Sequence, residues 1–381
     1  MTGLLDLPPE LLIKITEELR TDVYTAKERQ TDLARVAQVH PLLHAMARTM
    51  LYGSEVTVRS AGRTHLLSRS IASNPSLAEF IRTLVFKSEM DNGHVDSLIK
   101  ILRCTPHLEN LALSAKYLVG APADLYTVLQ THRQLRSFSY GYHGIESSFD
   151  AIVPLLASFP NLRHLSLDRV TPVPPGRSPV SPLVQRDLQR WGPRPTYALE
   201  SLSIYNWRVL DTSGWPLKLF AWLFGSTTDL QNFELIDVAG AGPIQEFFDF
   251  FTERSCNTSL ERLSVRDYQD VFSLEPTPLD PNSLASTFPN LTHLSLMAND
   301  DQTSLLTPMP HLLVPPRLRF LRLDDDLFLT WRLLEMVQAD SLPKTLKRIR
   351  LQGPFPSDVD VKALKRACTA KSIECQVLRA F

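Results

Sequence analysis

Leu162-Arg163-His164-Leu165-Ser166-Leu167 reads apolar, two polar, apolar, polar, apolar, and this pattern decides the fold. It returns at Ile81-Leu84-Phe86, Leu108-Leu111-Leu113, Leu135-Phe138-Tyr140 and Leu199-Leu202-Ile204. It continues at Leu230-Phe233-Leu235, Leu260-Leu263-Val265, Leu291-Leu294-Leu296, Leu318-Leu321-Leu323 and Leu346-Ile349-Leu351. Successive copies are 27, 27, 27, 37, 31, 30, 31, 27 and 28 residues apart. The last four residues of each copy alternate apolar and polar, the pattern of a short strand with one buried face. The opening apolar residue tucks under the strand start. Burying one such side chain contributes about 1.5–3 kcal/mol, whereas ordering the backbone costs about 1–2 kcal/mol per residue. One copy therefore cannot stand alone, and neighbours must share a core.

This motif and period are the signature of a leucine-rich repeat. They predict an α/β fold: a right-handed solenoid over residues 53–381, with a curved parallel sheet and outer helices. Helical patterns lie between strands at 94–104, 149–159, 216–224, 243–254 and 329–337. Val56 and Val58 sit 28 residues before Leu84 and Phe86, in phase with the array, and mark a first strand. A helix over 358–370 and a strand over 373–377 are expected to cap the far end. The usual asparagine ladder is missing. Asn299 stands at one such position, but Lys116, Val170, Trp207 and Tyr268 stand at others. One interval is interrupted at 171–195 by a proline-rich insertion, where Pro172, Pro174, Pro175, Pro179, Pro182, Pro193 and Pro195 forbid regular structure over most of its length. Ser178 and Ser181, each followed by proline, are candidate phosphate acceptors there.

The chain has 381 residues and a formal net charge of −1, so no global field would hold nucleic acid or an anionic membrane. No apolar run approaches the ~20 residues of a membrane helix. The first residues carry no basic stretch, so no secretory signal is expected. Cys104, Cys256, Cys368 and Cys375 show no C-x-x-C spacing and are expected to be reduced, buried thiols of a cytoplasmic or nuclear protein.

Residues 4–52 do not repeat. Leu7-Pro8-Pro9-Glu10-Leu11-Leu12 opens a helix, with prolines where backbone N–H groups lack partners and Glu10 at the positive end of the dipole. Leu12, Ile15 and Leu19 follow at helical spacing. A second helix carries Leu33, Val36 and Val39, and a third carries Leu42, Leu43, Met46 and Met50. Leu7-Pro8-x-Glu10-Leu11-Leu12-x-x-Ile15, followed by Leu33-x-x-Val36-x-x-Val39, closely resembles an F-box. Leu43 stands where that family often has an aromatic residue, and the link from Leu19 to Asp32 is longer than usual. The resemblance implies a substrate-recognition subunit of an SCF-type ubiquitin ligase. Its F-box would dock on the Skp adaptor, which joins it to the cullin, through Leu7, Pro8, Leu11, Leu12, Ile15, Leu33, Val36 and Val39. The repeats would hold a protein substrate. The alternative is a repeat scaffold without a role in ubiquitylation.

No nucleophile elbow, zinc-protease helix, P-loop or dinucleotide fingerprint is present, and no His pairs with Cys or a carboxylate at metal spacing. No enzyme activity, cofactor or metal is expected, and Asp324-Asp325-Asp326 is read as a solvated loop. The outward strand positions are more informative. The fifth position of the motif runs through Ser139, Ser166, Ser203, Glu234, Ser264 and Ser295, then Arg322 and Arg350. This column of small residues with a basic end nominates Ser166, Arg262, Arg266 and Arg350 for substrate binding, with Tyr205 and Trp207 as aromatic anchors.

Overall fold

The structure is a computed structural model describing residues 35, 38, 50–53, 55–87, 94–118, 120–141, 147–171, 194–206, 220–236, 250–253, 255–266, 287–297, 315–324, 329–353 and 358–379. Leu7, Pro8, Leu11, Leu12, Ile15, Leu33, Val36, Val39 and Trp207 lie outside the described residues. So do Ser178 and Ser181, the body of the proline-rich insertion and Asp325-Asp326. Arg35 and Gln38, in the stretch read as the second N-terminal helix, are helical and exposed.

The chain divides into two compact units, Met1–Ile145 and Glu146–Phe381. In the first, strand β1 (Glu55–Val58) leads to helix α1 (Ala61–Ser73) and strand β2 (Thr83–Phe86). Helix α2 (Val95–Cys104), β3 (Asn110–Leu113), α3 (Ala123–Thr131) and β4 (Ser137–Tyr140) follow. The four strands are parallel and in chain order, with Val56 beside Leu84, Leu84 beside Leu111 and Leu111 beside Phe138. The in-phase position of Val56 thus makes β1 the first rung. α1 and α3 are additional to the helices read from periodicity. α1 starts at Ser60, whose hydroxyl accepts from the Arg63 N–H, and buries only Thr64, Leu67 and Ile71 among many polar residues.

The second unit opens with β5 (Ser147–Ser148), which pairs with β7 (Val170–Thr171). Between them stand α4 (Val153–Leu156) and β6 (His164–Asp168). α4 is shorter than the expected 149–159 because Phe149–Ala151 is a 3₁₀ turn, with Pro154 in the first turn after it. Then come β8 (Ser201–Tyr205), β9 (Asn232–Ile236), β10 (Arg262–Arg266), β11 (His293–Met297) and β12 (Phe320–Asp324). Helix α5 (Leu329–Gln338), β13 (Arg348–Gly353), α6 (Asp358–Ala370) and β14 (Glu374–Arg379) complete it. β6, β8, β9, β10, β11, β12, β13 and β14 form a parallel ladder in that order.

The motif positions face inward as the alternation requires. The first apolar residue of every copy, Ile81 to Leu346, is at most 4 % exposed, and the fourth is at most 2 %. Behind the strands Phe251 packs on Phe224, Phe233 and Phe288 with ring centroids 5.6, 4.8 and 5.8 Å apart. In place of an asparagine ladder the strand starts are tied by main chain and hydroxyls. The Arg163 carbonyl accepts from the N–H groups of Glu200 and Ser201, the Glu200 carbonyl from Gln231 and Asn232, and so on to Arg319 with Lys347 and Arg348. Thr227 Oγ1 accepts from the Leu199 N–H at 2.8 Å, and the hydroxyls of Ser259, Thr292 and Thr345 donate to Leu230, Glu261 and Leu318 at 2.9, 3.0 and 2.8 Å. These bonds tie successive strand starts to one another.

None of the four cysteines is paired among the described residues; only Cys256 and Cys368 are buried, where all four were expected to be, while Cys104 is exposed and Cys375 half-buried. Among the described residues no helix is long and apolar enough to cross a membrane.

Candidate functional site

Because strand side chains alternate, the third and fifth residues of each motif point away from the core. On β8 to β12 these positions border a cavity of about 440 Å³. Ser201, Asn232, Arg262, His293 and Phe320 form one row and Ser203, Glu234, Ser264 and Ser295 the other. Strict register places Ser203, Glu234, Ser264, Ser295 and Arg322 side by side on successive strands. At about 4.8 Å per strand the row spans roughly 19 Å. Ser264 and Ser295 make its floor low, with taller Glu234 and Arg322 on either side.

The acidic wall is held in place. Glu234 Oε2 accepts from Tyr205 Oη at 2.5 Å and from Ser203 Oγ at 3.3 Å. Burial first, then the hydrogen bond and charge of Glu234, push the Tyr205 phenol up to about 12. Tyr205 therefore stays a donor at any ordinary pH. Asn206, at φ 51, donates from Nδ2 to Asp168 Oδ1 at 2.7 Å and anchors the turn after β8.

The other row carries one cation, Arg262. Arg262 is exposed on β10, with His293 beside it in register on β11. Burial, and then the charges of Arg262 and Arg319, hold the His293 imidazole below its usual value, so it is neutral near pH 7. Its Nδ1 lies 2.9 Å from Thr292 Oγ1, and its ring is 5.7 Å from that of Phe320. Ser295 Oγ is buried without a hydrogen-bond partner among the described residues. Arg348, further along, is neutralised by Glu374 at 2.7 Å.

Of the nominated residues, the structure brings Arg262 to the cavity, and Tyr205, at the end of β8 and outside the lining, donates to Glu234. Ser166 lies one strand before Ser203 in register, outside the lining. Arg266 ends β10, and Arg350 lies on β13, beyond the cavity wall. Asn232, His293 and Phe320 were missed because, of the third positions, only Arg262 was singled out. The third positions of the same motif carry the second row, and the same alternation predicts them. Charge, hydroxyls and an aromatic edge around a shallow hollow are a means of binding; among the described residues no group of three His, Cys, Asp or Glu is placed to hold a metal.

No family model matches the chain, and no curated protein matches it. Solved structures of low identity do align. The leucine-rich repeat-containing protein LegL7 from Legionella pneumophila is 16 % identical over 82 % of this chain and 87 % of its own, with a TM-score of 0.38. The leucine-rich repeat protein LIC12759 of Leptospira interrogans is 16 % identical over 81 % and 80 %, with a TM-score of 0.35. The chain aligned from the yeast Rad7–Elc1 complex is 14 % identical over 96 % and 91 %, with a TM-score of 0.40. What this chain itself displays is a leucine-rich-repeat α/β fold, with parallel strands in chain order and a polar hollow on the outward face of β8 to β12.

Proposed function

We propose that this chain is a non-catalytic recognition subunit: the outward face of β8 to β12 holds a protein substrate, and residues 4–52 dock on a Skp-type adaptor of a cullin-based ubiquitin ligase. The observation that carries the receptor half is the hollow of about 440 Å³ walled by Glu234 and Arg262. The adaptor half is supported by the F-box-like sequence, in which Leu7, Pro8, Leu11, Leu12, Ile15, Leu33, Val36 and Val39 supply the apolar contacts. Such a subunit acts by raising the effective concentration of its target beside the charged enzyme. The work is done in the cytoplasm or nucleus, where that machinery resides.

Replacing Leu7 and Pro8 together by Ala is expected to abolish co-purification of the adaptor while circular dichroism stays unchanged. Retained adaptor binding would overturn the adaptor half. Leu43, standing where F-boxes often carry an aromatic residue, favours a second reading, a repeat scaffold that binds an adaptor, or nothing, without ubiquitylation. The two separate on one observation: the cullin is present in the purified complex on the first reading and absent on the second.

A further inference from the structure

At the C-terminal end of the second unit, α6 and β14 bring two thiols together. Cys368 lies in the last turn of α6, fully buried. The chain then reverses through Lys371 and Ser372, with Ser372 at φ 59, and the Ile373 N–H donates to the Cys368 carbonyl at 2.9 Å. That reversal returns Cys375 on β14 opposite Ile349, a core-facing position of β13, where it remains partly exposed. The two thiols lie near enough to influence each other's ionisation. The other cysteines are arranged differently. Cys256 donates to the Thr227 carbonyl in the core at 3.5 Å, and Cys104 is exposed on α2.

We infer that Cys368 and Cys375 form a redox-active dithiol, a modification site at which a peroxide oxidant closes a disulfide between the capping helix and the last strand. Cys375 is the attacking sulfur. It is the partly exposed sulfur of the two, the one a peroxide can reach, and the Lys365 ammonium favours its thiolate, whereas Cys368 is fully buried. The Cys375 thiolate attacks one oxygen of hydrogen peroxide; an S–O bond forms, the O–O bond breaks, and hydroxide leaves to become water with the displaced thiol proton. Cys368 then attacks the Cys375 sulfur of the sulfenic acid. The S–S bond forms, the S–O bond breaks, and the departing hydroxide takes the Cys368 proton as a second water. Two electrons pass from the sulfurs to the peroxide. The reversal at Ser372 sets the two residues on facing elements, and closing the bond requires side-chain rotation to about 2 Å between the sulfurs. The product ties β14, whose only partner strand among the described residues is β13, to the helix that covers it.

The site is independent of the adaptor reading and is tested on the full chain. Lys371 lies between the two cysteines. After peroxide treatment and alkylation of free thiols, non-reducing trypsin digestion is expected to yield residues 367–371 and 372–379 joined as one species, which separates on adding dithiothreitol. Cys375→Ser, at the half-exposed position, abolishes the joined species in a folded chain. Cys368→Ser leaves Cys375 as a sulfenic acid that dimedone captures. Amide exchange across Glu374–Arg379 slows by about tenfold on oxidation, since opening the strand then requires opening the helix as well. Recovery of the two peptides unjoined, with Cys375 unreacted or singly oxidised while Cys104 has reacted, would overturn the inference.

Discussion

Tyr205 shows how one hydroxyl can set up a binding wall. Its Oη and the Ser203 hydroxyl converge on a single oxygen of Glu234 and hold that carboxylate at the edge of the hollow. Tyr205→Phe removes one donor to a charged acceptor and is expected to cost about 1–2 kcal/mol of stability in denaturant unfolding. His132 is the residue to watch in acid. It is 4 % exposed, one ring N–H donates to the Leu102 carbonyl, and among the described residues its Nε2 has no partner. Burial lowers its pKa below the ordinary 6.5, outweighing the Leu102 bond. The unfolded chain therefore takes up a proton as pH falls through 6.5 before the folded one does. Stability is full above that value and declines as pH drops from it towards the folded pKa. Urea unfolding at stepped pH is expected to show this loss, and His132→Gln, which keeps a donor for Leu102, to reduce it.

At the scale of elements, two packing devices stand out. The helical residues 220–223 end at Gly225, which has φ +51 and lies so close to the strand approach that an added Cβ would meet the Pro195 carbonyl at 2.5 Å. Only glycine satisfies both the left-handed backbone and the close approach. Gly225→Ala is expected to destabilise the second unit by more than about 1 kcal/mol, measured by thermal unfolding. Phe251 is 1 % exposed and touches Phe224, Phe233 and Phe288, which belong to three different stretches of chain. Phe251→Ala is expected to cost about 3–5 kcal/mol, because the surrounding rings belong to separate repeats and cannot all collapse into one void. A loss below about 1 kcal/mol would mean that the stack contributes little.

For the molecule as a whole, the proposal divides labour between a front segment and the repeat face, and the two halves are separable. Ser264→Trp fills the floor of the hollow without touching a core position. It is expected to abolish substrate capture in proximity labelling while adaptor co-purification is unchanged. The Leu7→Ala, Pro8→Ala pair is expected to do the reverse. If both variants lost both activities, the division would be wrong.

The repeat itself was legible in the sequence. Leu162, Leu165 and Leu167 and their counterparts specify a buried face by alternation alone, and even the lone pair Val56 and Val58 declares β1 by its phase. This works because strand periodicity is local chemistry repeated at a nearly constant interval. α1 and α3 were not found: the polar residues of α1, and the short apolar face of α3 (Leu125, Val128 and Leu129), give a weak helical stripe that neighbouring repeats supplement. The binding face was half legible. Alternation puts Ser203, Glu234 and Ser264 outward, but only strand pairing sets them beside one another with Asn232, His293 and Phe320 as a second row. The nearness of Cys368 and Cys375 also belongs to the tertiary structure. Seven residues apart in sequence, the thiols come near each other because the chain turns back at Ser372, and a sequence reading that looks for C-x-x-C passes over them. Composition and period determine which side chains are buried. Which outward side chains become neighbours depends on the register between strands, a long-range property that no single repeat contains.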